Sequence, residues 1–183
     1  TIIFASGVSN SLEQKRSEFE REKKLLLTTI KNNSEKRIIY FSTCYFKDLK
    51  EKNKYLSHKQ EIEEIIQQHN NYLIFRLPIV VGCYGNKKGL INYLFENIKK
   101  NKKISIYKKL KRHLIDIDDV FFFVDKVIKE KKINNKTLNL SSKHSWYLVE
   151  LINEIQNILK KKADIKFLYD KIENNKIDLN NLD

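Results

Sequence analysis

Short β-branched runs that are apolar at every position alternate along this chain with longer stretches whose apolar residues recur every three or four positions. A strand that is apolar on both sides has to be covered on both faces, and helices lying between successive strands provide that cover. Ile2-Ile3-Phe4-Ala5 reads as a first buried strand, and Ser6-Gly7 as the turn after it. Residues 11–30 read as a helix with Phe19, Leu25, Leu26 and Ile30 on one side. Residues 37–41 give a second strand, and residues 55–69 a second helix with Ile62, Ile65 and Ile66 inward. A third strand at 72–75 is stopped by Pro78, and a third helix at 90–98 carries Leu90, Tyr93, Leu94 and Phe95. Residues 103–106 form a short strand, and a helix over 118–127 has Asp118 or Asp119 as its cap. Residues 137–140 are a further strand. Ser145 caps a last helix running to about residue 160, with Trp146 and Tyr147 near its start as core or pocket wall. The pattern predicts an α/β fold with a doubly wound parallel sheet and no internal repeat. The polar tail from Asn174 is expected to be loosely held.

Composition removes several classes of function. The chain has 183 residues with four glycines and one proline, so collagen-like and Pro/Gly-rich disordered classes are out. No apolar run approaches the roughly 20 residues that a membrane span requires. The apolar start, Thr1-Ile2-Ile3-Phe4-Ala5, is too short and too uncharged to read as a secretory signal. Cys44 and Cys83 have neither metal-like spacing nor a disulfide framework, which predicts a reducing, cytoplasmic setting. The net charge of +13 raises the question of nucleic acid. Its lysines are spread along the chain in short groups, such as Lys23-Lys24, Lys87-Lys88, Lys99-Lys100 and 160–162, mostly at helix ends and on polar faces. They read as solvated surface, and nucleic acid is not expected as a partner.

Tyr55-Leu56-Ser57-His58-Lys59 is a Tyr-x-x-x-Lys element on the second helix. Four residues make about one turn, so both side chains leave one face. An ammonium beside a phenol favours the tyrosinate and is expected to lower the tyrosine pKa, so that the pair can move a proton at a substrate hydroxyl. The same spacing recurs at Tyr84/Lys88 and Tyr107/Lys111, as chance supplies in a lysine-rich chain. Only Tyr55 follows a strand ending in Ser42-Thr43 and precedes one ending in Arg76-Leu77-Pro78. Hydroxyls at the C-terminal ends of parallel strands lie where open α/β sheets bind ligands. Thr43 could hydrogen-bond both a substrate oxygen and the Tyr55 phenol; the plainer alternative is that Thr43 caps a turn and Tyr55 packs on the sheet. Other candidates are weaker. Cys44 has no histidine close in sequence and reads as a small buried side chain. His58, His69, His113 and His144 lack metal spacing, so no metal site is expected. Asp116, Asp118 and Asp119 read as a helix start.

Taken in order, Ile2-Ile3-Phe4-Ala5-Ser6-Gly7, Tyr40-Phe41-Ser42-Thr43, Tyr55-x-x-x-Lys59 and Arg76-Leu77-Pro78-Ile79-Val80-Val81-Gly82 resemble one enzyme family. It is the NAD-dependent epimerase/dehydratase branch of the extended short-chain dehydrogenases/reductases, which modify nucleotide sugars. The segment from Arg112 through Ile115, Asp116, Asp119 and Val120 looks like that family's Arg-x-Phe-Ile-x-Val-x-Asp-Val. Leu138-Asn139-Leu140 looks like its Asn-Ile/Leu stretch, and the likeness runs from Ile2 to about Leu168. It implies a Rossmann-like fold without its N-terminal strands. Residues 1–80 would be the second half of the Rossmann-like domain, with Thr43, Tyr55 and Lys59, and residues 81–183 a small substrate-binding region.

The resemblance also implies roles. Tyr55 would be the acid/base, Lys59 would hold the nicotinamide ribose and tune Tyr55, and Thr43 would be their hydroxyl partner. Ala5 and Gly7 would pass beside the cofactor, NAD or NADP, and Pro78 would lie near the nicotinamide. Arg112 would meet the substrate's diphosphate, and Ser9 and Asn10 (with Ser11) would touch the sugar or else serve only as turn and cap. The first two helices would pair in a homodimer. Three features depart from the family. After Gly7 the next glycine is Gly82, so the Gly-x-x-Gly-x-x-Gly phosphate turn is not in this sequence. The sequence begins where the family's fourth strand would, roughly 60 residues late by the usual length of two βα units, and is expected to be part of a longer chain. Ile79 stands where many relatives place a substrate-binding Asn, and the stretch from Thr43 to Tyr55 is short. The rival reading is a catalytically degenerate or truncated module that binds nucleotide, nucleic acid or a protein.

Overall fold

The structure, a computed structural model, describes residues 1–46, 53–83, 89–130, 133–169 and 177. Tyr84, Lys88 and, apart from Ile177, the tail from Asn174 lie outside the described residues. In chain order the elements are β1 (Ile2–Phe4), α1 (Arg16–Lys31), β2 (Ile38–Thr43), α2 (Lys54–Gln67), β3 (Tyr72–Leu77), β4 (Ile79–Val81) and α3 (Leu90–Lys99). They continue with β5 (Ile104–Tyr107), β6 (Lys111–Asp116), α4 (Ile117–Lys129), β7 (Lys136–Asn139), β8 (Ser145–Tyr147), α5 (Leu148–Leu159) and β9 (Ile165–Leu168). They fall into two compact units, one of Thr1–Leu77, Asp119–Leu140 and Ile177–Asp183, the other of Pro78–Asp118 and Ser141–Lys176. No helix among the described residues is long and apolar enough to cross a membrane.

The first unit is built on a parallel sheet in the order β1-β2-β3-β7. Register places Phe4, Tyr40 and Ile74 side by side on one face, where they pack with Leu26 of α1 and with Ile62 and Ile66 of α2. Alternation sends Ile39, Phe41, Leu73 and Phe75 to the opposite face, and the rings of Phe41 and Phe75 stack there at 6.0 Å. Arg37 lies on that second face too, two residues before Ile39. Its guanidinium donates to the Ile128 carbonyl at 2.6 Å, one of the carbonyls that the end of α4 leaves unpaired. Helices therefore cover both faces, as strands apolar throughout predict.

The second unit holds a β4-β6-β8 sheet and a β5-β9 pair. Its core is formed by Leu94 and Ile98 of α3, Ile104 and Ile106 of β5, and Leu148, Leu151, Ile152 and Ile155 of α5. Gly82 marks a close approach here, since a Cβ built on it would lie 2.6 Å from Ile117 Cγ2. A β-branched side chain has little rotamer freedom with which to yield. Gly82→Ala is expected to destabilise by about 1 kcal/mol, read as a lowered urea midpoint with unchanged slope.

Several local expectations are corrected. α1 begins at Arg16, not near Ser11, because residues 10–15 turn on side chains: Asn10 Oδ1 accepts from Leu12 N–H, and Glu13 Oε1 from Gln14 and Lys15 N–H. Leu25 is 41% exposed, and Glu22 takes an inward place in α1. Asp116, not Asp118 or Asp119, caps α4, accepting from Asp118 N–H at 2.8 Å. Ser145 does not cap α5. It pairs with His113 in β8, antiparallel to β6, and α5 starts instead where Tyr147 N–H donates to Glu150 at 2.7 Å. Four strands, β4, β6, β8 and β9, do not show in the periodicity, and three of them have only three or four residues.

Candidate active site

The described chemistry-bearing residues of the first unit gather where α2 packs on β2. Asn53 caps α2 by accepting from Tyr55 N–H at 3.0 Å, which fixes Tyr55 in the first turn. Lys59, one turn on, shares its face, and its Nζ lies 5.8 Å from the Tyr55 ring centroid. That ammonium is buried at 4% exposure and is bound elsewhere: it donates to the Tyr40 hydroxyl at 2.6 Å and to Glu22 Oε1 at 3.4 Å. Tyr40 in turn donates to Glu22 Oε1 at 2.8 Å. The other carboxylate oxygen accepts from Val8 N–H at 2.6 Å and meets His58 Nε2 at 2.9 Å.

These contacts overturn the simple electrostatic expectation for Tyr55. Burial, and secondarily the Glu22 carboxylate, push its phenol up to about 12 instead of down. Burial lowers the Lys59 pKa, against the pull of Glu22. Burial would also raise Glu22, but His58, Lys59, Val8 N–H and the Tyr40 hydroxyl outweigh it and bring the carboxyl to about 2. Tyr40, pushed up by burial and by Glu22, stays a neutral phenol.

Thr43 ends β2 at 8% exposure, and its hydroxyl accepts from Tyr45 N–H at 3.2 Å. Its proton and second lone pair remain for other partners. Among the described residues it is not hydrogen-bonded to Tyr55. Alternation puts the neighbouring Ser42 on the Tyr40 face, and Ser42 Oγ is buried with no hydrogen-bond partner among the described residues. Gly7 borders the cluster closely. A Cβ there would stand 2.9 Å from both Glu22 Oε1 and Lys59 Nζ, so the β1–α1 backbone runs directly against the network. Ala5 and Ser9 are exposed at the end of β1, and Asn10 serves the turn to Leu12. Pro78 and Arg112 belong to the second unit. Pro78, which follows β3 in the chain and precedes β4, is buried. Arg112 sits on β6 opposite Trp146, its Nη1 on the Lys111 carbonyl at 3.0 Å.

Glu22, Tyr40 and His58 were missed in the sequence reading, although a signal was present. Phe19, Glu22, Leu26 and Ile30 follow at spacings of three and four, so a carboxylate occupies the apolar stripe of α1.

The sequence model of the NAD dependent epimerase/dehydratase family matches residues 23–141. No curated protein sequence matches the chain. Solved structures share its fold at low identity. A dTDP-glucose 4,6-dehydratase from Bacillus anthracis, in complex with NAD, is 18% identical with a TM-score of 0.68; the match covers 89% of this chain and 59% of that one. A UDP-glucuronic acid 4-epimerase from Bacillus cereus, with UDP-glucuronic acid and NAD, is 16% identical with a TM-score of 0.76, covering 94% and 63%. A UDP-glucose 4-epimerase from Thermus thermophilus, with NAD, is 13% identical with a TM-score of 0.71, covering 94% and 66%. The chain thus spans about three fifths of the first of these enzymes.

Proposed function

The chain belongs to the NAD-dependent epimerase/dehydratase family, and on that premise we propose that it acts on a nucleotide-activated sugar with NAD or NADP, by epimerisation, dehydration or reduction. The observation that carries this is the Tyr55–Lys59 pair on one face of α2, with the ammonium buried and counter-charged. Two features support a dinucleotide here: Gly7 brings bare backbone up to Lys59, where a Cβ would stand 2.9 Å from Nζ, and Ser42 offers a buried hydroxyl without a partner among the described residues. Lys59 would hold the nicotinamide ribose, with backbone at Ala5 and Gly7 alongside and Pro78 near the ring. Bound there, the nicotinamide would supply hydride exchange with a sugar carbon. Tyr55 would move the proton at the sugar oxygen, and Thr43 would orient that oxygen.

By the family resemblance Arg112 would meet the substrate's diphosphate, a task that its planar fork suits, and Ser9 and Asn10 would touch the sugar. Residues 1–80 would carry the cofactor chemistry and residues 81–183 the substrate region. Leu25 and Leu27, 41% and 46% exposed on α1, suit a homodimer contact, in a cytoplasmic setting. In the full-length protein, mixing stoichiometric NAD or NADP with UDP- and dTDP-sugars is expected to give a transient reduced-nicotinamide absorbance in a single turnover. Failure to bind either dinucleotide overturns the reading. One observation favours the second reading, a degenerate binding module: the Lys59 ammonium is turned to Tyr40 and Glu22 and stands 5.8 Å from the Tyr55 ring. Dinucleotide binding with no hydride exchange for any such sugar is the result that would carry it.

A further inference from the structure

We propose that Glu22 is the positioning residue for Lys59, with Tyr40 as the relay that fixes where the ammonium sits. The proposal rests on Tyr55 and Lys59 being the catalytic pair. A carboxylate offers about four lone-pair sites, and in Glu22 all four directions are occupied, from three parts of the fold. Val8 N–H from the β1–α1 turn and His58 of α2 take Oε2, while Tyr40 of β2 and Lys59 of α2 take Oε1. Such a side chain has one orientation.

The order of protons follows from the same contacts. With Glu22 ionised, His58 Nε2 and the Tyr40 hydroxyl must both donate to it, which leaves the Tyr40 lone pairs facing Lys59. The ammonium therefore points two of its three N–H groups inward, at 2.6 Å to Tyr40 and 3.4 Å to Glu22. Among the described residues no hydrogen bond takes the third, which is left for Tyr55 and a ligand. Burial at 4% exposure works against the charged form of Lys59, and a carboxylate beside it works for it. The charged and titratable groups around it are Glu22 from α1, Tyr40 from β2, and Tyr55, His58 and Glu63 from α2. Glu63 is already engaged by Arg76 at 2.6 Å, so Glu22 is the carboxylate committed to Lys59. Glu22 touches no substrate; it acts through Lys59.

The test uses the full-length protein with Glu22→Gln and Tyr40→Phe, each compared with wild type. Lys59 is followed by side-chain NMR through a pH titration, beside the pH dependence of kcat. With Glu22→Gln, Lys59 is expected to lose its proton at lower pH. The alkaline limb of kcat should move the same way, and kcat at neutral pH should fall by roughly 10- to 100-fold with KM within about twofold. Tyr40→Phe should shift Lys59 in the same direction by less. An unchanged Lys59 titration in either folded variant overturns the proposal, even if stability falls, because a purely structural glutamate would not move it. If Glu22→Gln does not fold, Tyr40→Phe decides alone, since it removes one oxygen and keeps the ring. The NMR reading is independent of turnover. A protein inactive on sugars with a shifted Lys59 would thus sink the catalytic reading and leave the positioning intact.

Discussion

Glu22→Ala is expected to destabilise the protein by about 3–5 kcal/mol, the range for removing one partner of a buried ion pair. The loss is not one contact. It leaves the Lys59 ammonium without its counter-charge, and the Val8 N–H and the Tyr40 hydroxyl without their acceptor, at a place that is 0% exposed at Glu22 and 4% at Lys59. Buried donors without acceptors each carry a desolvation cost, which is why Ala does more harm here than the isosteric Gln. Acid supplies an orthogonal reading. Glu22 is brought from an ordinary 4.5 to about 2, so its contribution is complete above its unfolded value and disappears as pH falls through the folded one. A displacement of that size is worth about 3 kcal/mol. Urea unfolding of the wild type should weaken steeply between about pH 5 and pH 2, and the gap to Glu22→Ala should narrow over that window. A gap constant across the window would mean that Glu22 is not ionised in the folded protein.

What the sequence made legible, and what it hid, divides along physical lines. β2 and β3 are apolar at nearly every position, and the parallel sheet followed from that alone. The Tyr55–Lys59 spacing was legible because a helix converts four residues into one shared face. Lys59's true partners were not legible. Tyr40 comes from a strand and Glu22 from a helix that begins about five residues later than its apolar pattern suggests, and only tertiary packing joins them. The sign of the Tyr55 shift was hidden for the same reason: spacing says that an ammonium is near, but not that a buried carboxylate has already claimed it. Short strands such as β8 escaped because three residues cannot show a period, and the pairing of Trp146 with Arg112 is invisible to local pattern. Ser145 therefore looked like a cap beside an apolar helix.

Tyr55→Phe is expected to reduce kcat in the full-length protein by about a thousandfold while leaving dinucleotide affinity within about twofold. Such a factor corresponds to about 4 kcal/mol of transition-state stabilisation. Stability should move by less than about 1 kcal/mol, because no described residue is hydrogen-bonded to the Tyr55 hydroxyl and the ring is retained. The protonation state gives the prediction a direction. With the phenol pushed up to about 12 by burial and by Glu22, Tyr55 holds its proton at neutral pH and is poised to give it to a sugar oxygen. Taking a proton from a sugar hydroxyl requires more positive charge beside the ring than Lys59 supplies from 5.8 Å while turned toward Tyr40. The reductive half of a reaction should accordingly depend less on alkaline pH than the oxidative half, measured separately in single turnovers from either side. Full turnover in Tyr55→Phe would remove Tyr55 from the chemistry, and Lys59 would then read as the buried partner of Glu22 and nothing more.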